Sequence, residues 1–267
     1  LPIGRSGFED IRENNYYYID KTGLIEEILR THGTQVTLIT RPHRFGKTLA
    51  MSMLESFFDI RRNSQKLFEG LNISDHHELC EQWMNQYPTV FVSFKSIDGL
   101  TFEDAYSQLV AVIAELYKNH LYLITNEKIN SYDKRFFDQI ADKTASKTDI
   151  KNSLLELSKI LATYYDKPVI LLIDEYDVPL AKASEKNYYP QMLDMMKGLL
   201  QAFKDNPSLK FAVLTGCLRI AKESIFTGTN NFISDTLSDT RLNEYFGFTE
   251  TEVRKILKDT GCTEYAG

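Results

Sequence analysis

The run Val169-Ile170-Leu171-Leu172-Ile173, closing on Asp174-Glu175, constrains this chain more than any other segment. Five consecutive branched apolar residues leave no face for water, so a strand built from them must be covered on both sides. A sheet covered on both sides takes its helices from the connections between strands. The rest of the sequence supplies that alternation. Residues 35–40, 88–94 and 209–214 read as further strands, and a weaker one lies near Phe232-Ile233. Between them, apolar residues recur at helical spacing over 48–60, 102–117, 149–163 and 189–203. The expectation is a three-layer α/β sandwich around a mostly parallel central sheet, with a helical insertion around 95–165.

Three regions follow from this pattern: an N-terminal segment packing on the core (1–34), the core with its insertion (35–240), and the start of a C-terminal helical region (241–267). Segment 126–147 has no clear period, although Phe136 and Phe137 predict that it packs. Tyr16-Tyr17-Tyr18 reads as an edge strand on the core rather than a base-stacking platform. Thr249-Glu250-Thr251-Glu252 opens a final helix with a capping box, and Phe248 is placed to staple against Val253. The sequence stops soon afterwards and opens without methionine, which predicts a longer natural protein.

Composition excludes several classes. Lys and Arg number 31 against 37 Asp and Glu, a net charge of −6. That balance argues against a surface that grips nucleic acid throughout, though not against a local basic groove. Cys80, Cys217 and Cys262 are too few and too scattered for a disulfide framework, which points to a reducing cytoplasm. No apolar run approaches the ~20 residues needed to cross a bilayer. The five histidines have no zinc-site spacing and read as solvated.

In open α/β sheets ligands gather outside the carboxyl ends of the strands. Thr40-Arg41, Asp174-Glu175 and Thr215-Gly216 all end predicted strands, so they fall at one rim. Arg41-Pro42-His43-Arg44-Phe45-Gly46-Lys47-Thr48 joins a strand to a helix, where the first free N–H groups of the helix face an anion. In a phosphate-binding loop Arg44, Phe45, Gly46 and Leu49 would frame the nucleotide. Lys47 would reach its β- and γ-phosphates, and Thr48 would hold magnesium. Asp174 is the second magnesium ligand, and Glu175 is placed to activate water. Thr215 and Arg219 are candidates for contacting the γ-phosphate and neutralising transition-state charge. Arg241 is a remoter candidate for a charge donated across a homo-oligomer. One departure stands out: Arg41 occupies the position at which such loops usually begin with glycine. Either Arg41 tolerates the turn or the loop has a different shape.

Taken together, these segments resemble the bacterial AAA-ATPase-like family. The resemblance rests on Leu1-Pro2-Ile3-Gly4 with Phe8, on Tyr18-Ile19-Asp20-Lys21-Thr22, and on the loop 41–48, similar to the family's Arg-Pro-Arg-Arg-Phe-Gly-Lys-Ser. Leu172-Ile173-Asp174-Glu175-Tyr176-Asp177, Thr215-Gly216 with Ser224-Ile225-Phe226, and Phe246-Gly247-Phe248-Thr249 extend it over almost the whole chain. It implies a P-loop NTPase sandwich with an added strand between the lysine loop and the acidic strand, and ATP and Mg2+ as ligands. It accounts for Arg41, since family members carry arginine there, and it marks His43 as standing where they carry another. It also implies a PD-(D/E)XK nuclease domain further along many such chains.

Two uses of the site compete: a magnesium-dependent ATPase acting as motor or switch, and a module that holds ATP with negligible turnover to regulate an attached or partner domain. A small-molecule kinase would need an acceptor pocket, of which the sequence gives no sign.

Overall fold

The computed structural model describes residues 4–30, 36–217 and 232–261. Five strands, β1 (Val36–Thr40), β2 (Thr89–Ser93), β3 (Val169–Asp174), β4 (Leu209–Gly216) and β5 (Phe232–Asp235), form one sheet in the order β2-β3-β4-β1-β5. Every pairing is parallel, so the expected mostly parallel sheet is wholly so. β4 lies between β1 and β3, with Thr40 opposite Gly216, and Ser93 opposite Asp174. The strand tips therefore line up along one carboxyl rim.

Alternation along the strands feeds two cores. Val36, Leu38, Leu171, Ile173 and Leu214 face one side, where they meet α6 (Phe102–Lys118), α8 (Lys147–Tyr165) and α10 (Tyr189–Leu199). Ile39, Ile170, Leu172 and Val213 face the other, against Met53, Leu54, Phe57 and Phe58 of α3 (Lys47–Phe58). Two covered faces are what the five-residue apolar run of β3 demanded. On the α3 side, α1 (Phe8–Glu13) and α2 (Gly23–Arg30) add Phe8, Ile11, Leu24 and Ile25, all buried.

The connection from β2 to β3 carries α6, α7 (Ser131–Ala141) and α8, which pack on the first core. Their starts are fixed locally. Thr101 with Asp104, and Ser146 with Asp149, form capping boxes, while Asn130 caps α7. Segment 126–147, which shows no clear period, thus contains a helix whose Phe137 is fully buried. The remaining helices are α4 (Gln65–Phe68), α5 (His77–Trp83), α9 (Val178–Glu185) and α11 (Glu250–Asp259). The capping box of α11 forms as expected, but Phe248 and Val253 stay 64% and 40% exposed rather than stapled into a core. Among the described residues no helix is long and apolar enough to cross a membrane.

Two expectations need correction. Tyr16-Tyr17-Tyr18 is not an edge strand, because the segment pairs with no strand of the sheet. Its side chains act as struts instead: Tyr18 meets Phe8 edge-on at 5.5 Å, and the Tyr17 hydroxyl donates to Asp259 at 2.8 Å. Nor are all histidines solvated. His120 follows α6 and is 2% exposed, with its Nδ1–H donating to the Leu116 carbonyl at 2.8 Å.

Burial, and secondarily the Arg61 guanidinium, lowers the His120 pKa to about 4, below its ordinary 6.5. The unfolded chain therefore takes up this proton first as pH falls. The stabilisation is complete above pH ~6.5 and is lost progressively toward pH ~4, amounting to about 1–2 kcal/mol at pH 5. Glu55, whose carboxyl is pushed up by burial, acts in the opposite sense. Denaturant unfolding of the native chain and His120→Gln at pH 5 and pH 7 separates the two. The variant keeps a donor for Leu116 and should lose the His120 share of the pH dependence; an unchanged dependence would contradict the assignment.

Candidate functional site

The loop that leaves β1 begins with a buried cation. Arg41 keeps a negative φ, so the backbone there needs no glycine. Its side chain is wholly buried. Nη2 donates to Asp235 Oδ1 of β5 at 2.6 Å, and Nη1 to the Thr40 and Asp235 carbonyls at 2.9 and 3.1 Å. The guanidinium also stacks over Phe246, 5.2 Å from the ring centre. Arg41 is thus a bolt between the loop, the edge strand and the segment before α11. Arg241 joins the same carboxylate, its Nε 3.6 Å from Asp235 Oδ2. Its Nη1 also donates to the Glu27 carbonyl of α2 at 3.5 Å.

Beyond Arg41 the loop turns twice through the left-handed region, at Arg44 (φ 68°) and Gly46 (φ 79°). Such a φ is strained for arginine and free for glycine. Gly46 is the N-cap of α3 and offers no side chain to the amides of its first turn. Those N–H groups and the positive end of the helix dipole are the loop's anion-facing feature. From outside, the Gly247 amide donates to the Phe45 carbonyl at 3.0 Å. Arg44, Phe45 and Leu49 line a largely apolar cavity of about 170 Å³ together with Tyr17, Tyr18, Tyr245 and Phe248.

Lys47 is 3% exposed and folds back over the loop. Its ammonium donates to the Arg41 and Pro42 carbonyls at 3.0 and 3.1 Å and to Cys217 Sγ at 3.1 Å. It also lies 3.4 Å from Glu175 Oε1. Asp174, fully buried at the tip of β3, accepts three hydroxyls: Thr48 at 2.9 Å, Thr215 at 2.7 Å and Ser93 at 3.2 Å. Lys47, Thr48, Asp174, Glu175 and Thr215, singled out in the sequence as parts of one site, are thus brought into one connected group. Arg219 lies outside the described residues.

Several neighbours escaped the sequence reading. Ser93 obeys the same rule as Thr40 and Thr215, a polar residue ending an apolar strand, and that rule could have found it. Asp177 accepts the Cys217 amide at 2.9 Å, tying the turn after β3 to the end of β4. Gly216 makes this approach possible, since a Cβ there would sit 2.6 Å from both Asp177 Oδ1 and the Tyr176 ring. Glu175 follows at φ 54°, a bend that aims its carboxylate back toward Lys47. His43, on the exposed turn of the loop, reaches Cys217 Sγ with both ring nitrogens at 3.4 and 3.5 Å. Partial burial pushes the Cys217 thiol up, with Lys47 working against it.

Comparison with known proteins adds to this geometry. A relative from Azotobacter chroococcum mcd 1, described as an uncharacterized protein in the vnfD 5′ region, is 31% identical over 259 residues. The aligned part covers 96% of this chain and 44% of the relative, so the chain spans less than half that protein's length. No solved structure matches the chain. Residues 2–226 match the AAA-ATPase-like family, described as "Predicted AAA-ATPase". That match covers most of the sequence, including the loop and both acidic residues at the rim, and the chain belongs to the AAA-ATPase-like family.

Proposed function

We propose that this chain binds ATP with Mg2+ at the carboxyl rim of its sheet and hydrolyses it, using the free energy to move or switch an attached or partner domain. The observation that carries the reading is the convergence of Lys47, Thr48, Asp174, Glu175 and Thr215 from two strand tips and one helix start. Residues 35–240 form the nucleotide unit in this reading, with 1–34 packing on it and 241–267 beginning a C-terminal helical region.

The phosphates lie on Gly46 and the first amides of α3, where donors and dipole both favour an anion. Lys47 leaves its carbonyl partners for the β- and γ-phosphates. Arg44, Phe45 and Leu49 border the cavity beside the loop, whose apolar and aromatic lining suits the nucleoside end of the ligand. The donor set on the other side fits magnesium. Thr48 Oγ1 and Asp174 Oδ2 are hard oxygen ligands 2.9 Å apart, and Mg2+ takes few protein oxygens beside phosphate and water. Bound there, Mg2+ would neutralise charge on the β- and γ-oxygens.

Glu175 is the general base. Its carboxylate pairs with Lys47 at 3.4 Å, so transfer of that ammonium to phosphate frees it to accept a proton from the attacking water. As the water oxygen bonds to the γ-phosphorus, the bond from phosphorus to the bridging oxygen breaks and ADP leaves. Thr215 orients the γ-phosphate from β4, and Arg219 neutralises its developing charge. The Arg41 side chain is committed to Asp235 and takes no part in this chemistry. The longer relative leaves room for a further domain, such as a nuclease, for the ATPase to act upon.

Purified protein should hydrolyse ATP in magnesium, and Glu175→Gln should lower turnover by ~10²-fold while still binding ATP, since only the proton acceptor is removed. Equal rates for the two proteins, both binding ATP, would favour a non-hydrolysing module instead.

A further inference from the structure

We propose that His43, Glu175 and Cys217 form a second metal site, for a divalent ion of the zinc class, which pins the phosphate loop to the sheet and excludes the nucleotide. The three side chains come from different elements: the loop after β1, the turn after β3 and the residue after β4. Their ligand atoms all lie within 4.8 Å of one another. Cys217 Sγ is 3.4–3.5 Å from the His43 nitrogens and 3.8 Å from Glu175 Oε2.

Those spacings are close to what a tetrahedral ion asks for. With metal–sulfur near 2.3 Å and metal–nitrogen or metal–oxygen near 2.0–2.1 Å, adjacent ligands sit ~3.3–3.6 Å apart. Glu175 is 8% exposed and held by its turn, while His43 is exposed and free to rotate one nitrogen onto the ion. One sulfur, one imidazole and one carboxylate leave a fourth position open to water. This donor set favours Zn2+ or Co2+ over Mg2+, which selects oxygens alone. The site is therefore chemically separate from the Thr48 and Asp174 pair.

Charge dictates the antagonism. Lys47 occupies the same space, 3.1 Å from Cys217 Sγ and 3.4 Å from Glu175 Oε1. On binding, the Cys217 S–H proton passes to solvent and a sulfur–metal bond forms, with no change of oxidation state. The dication, thiolate and carboxylate then sum to zero, so the ammonium loses the attraction of Glu175 and its contact with Cys217, and the ion takes the space between them. The ion holds His43, and the loop that carries it, in place against Cys217, so the loop cannot shift to admit the phosphates. This exclusion rests on the nucleotide reading above; the metal site itself does not.

Titrating the full chain with Co2+ in the absence of nucleotide tests the site directly. One equivalent should produce the near-ultraviolet thiolate-to-cobalt band, displaced by Zn2+ and lost in Cys217→Ser and in His43→Ala. A missing band, or one that persists in both variants, overturns the site. In a second arm, saturating Zn2+ should weaken Mg-ATP binding by at least tenfold in the native chain, reversibly with chelator, and leave Cys217→Ser unaffected. An equal effect of Zn2+ on native and variant overturns the exclusion. A chain that binds no ATP even in chelator defeats the nucleotide reading, and the cobalt band still decides the metal site.

Discussion

Arg41→Ala is expected to lower folding stability by about 3–5 kcal/mol, the usual cost of removing one partner from a buried ion pair. The guanidinium is wholly buried, and it holds the Asp235 carboxylate at 2.6 Å and two backbone carbonyls. Truncation leaves those buried acceptors short of a donor, with Arg241, at 3.6 Å, the remaining cation beside Asp235 among the described residues. Asp235→Ala should cost at least as much, because it strands the buried Arg41 charge. The double variant Arg41→Met with Asp235→Leu should recover much of the loss, since a filled apolar site is cheaper than half an ion pair. Urea unfolding of the four proteins measures this. A single-variant loss below ~1 kcal/mol would mean that the loop does not depend on the bolt. Nucleotide affinity should weaken too, since Arg41 fixes the strand end from which Lys47 and Thr48 are presented.

This position also marks the limit of what the sequence could reveal. Arg41 departs from the glycine of the usual loop, and its local sequence leaves tolerated turn and altered loop equally open. The answer lies in Asp235, 194 residues away, and in Phe246, neither of which carries a local signal. The fold was far more legible. The unbroken apolar run of β3 requires cover on both faces, and strand-helix alternation supplies it, so the layers follow from local pattern. Strand order does not, and neither does the carboxyl rim's hydroxyl set. Thr48 and Thr215 could be read from strand and helix ends, and Ser93 by the same rule, but their meeting on Asp174 is a product of topology. His120 shows the opposite failure. Its neighbours in sequence are ordinary helix-end residues and do not mark it as 2% exposed, with the Tyr122 ring centre 6.0 Å from its own and the Arg61 charge close enough to lower its pKa.

The second large effect concerns the phosphates. Lys47→Ala should weaken ATP binding by about 10²–10⁴-fold, because two or more charge-assisted hydrogen bonds disappear at ~1.5–3 kcal/mol each. Among the described residues Lys47 alone contacts both Glu175 and the carbonyls of the loop. Lys47 is itself buried and pairs with Glu175 at 3.4 Å, so its truncation should also lower stability, and affinity is compared on protein shown to be folded.

Titration calorimetry of Mg-ATP into the native chain and into folded Lys47→Ala, both in chelated, zinc-free buffer, tests the central claim most directly. Saturable one-to-one binding by the native chain, reduced at least 100-fold in the variant, is the result this account predicts. Equal ATP affinity in the two proteins would contradict it.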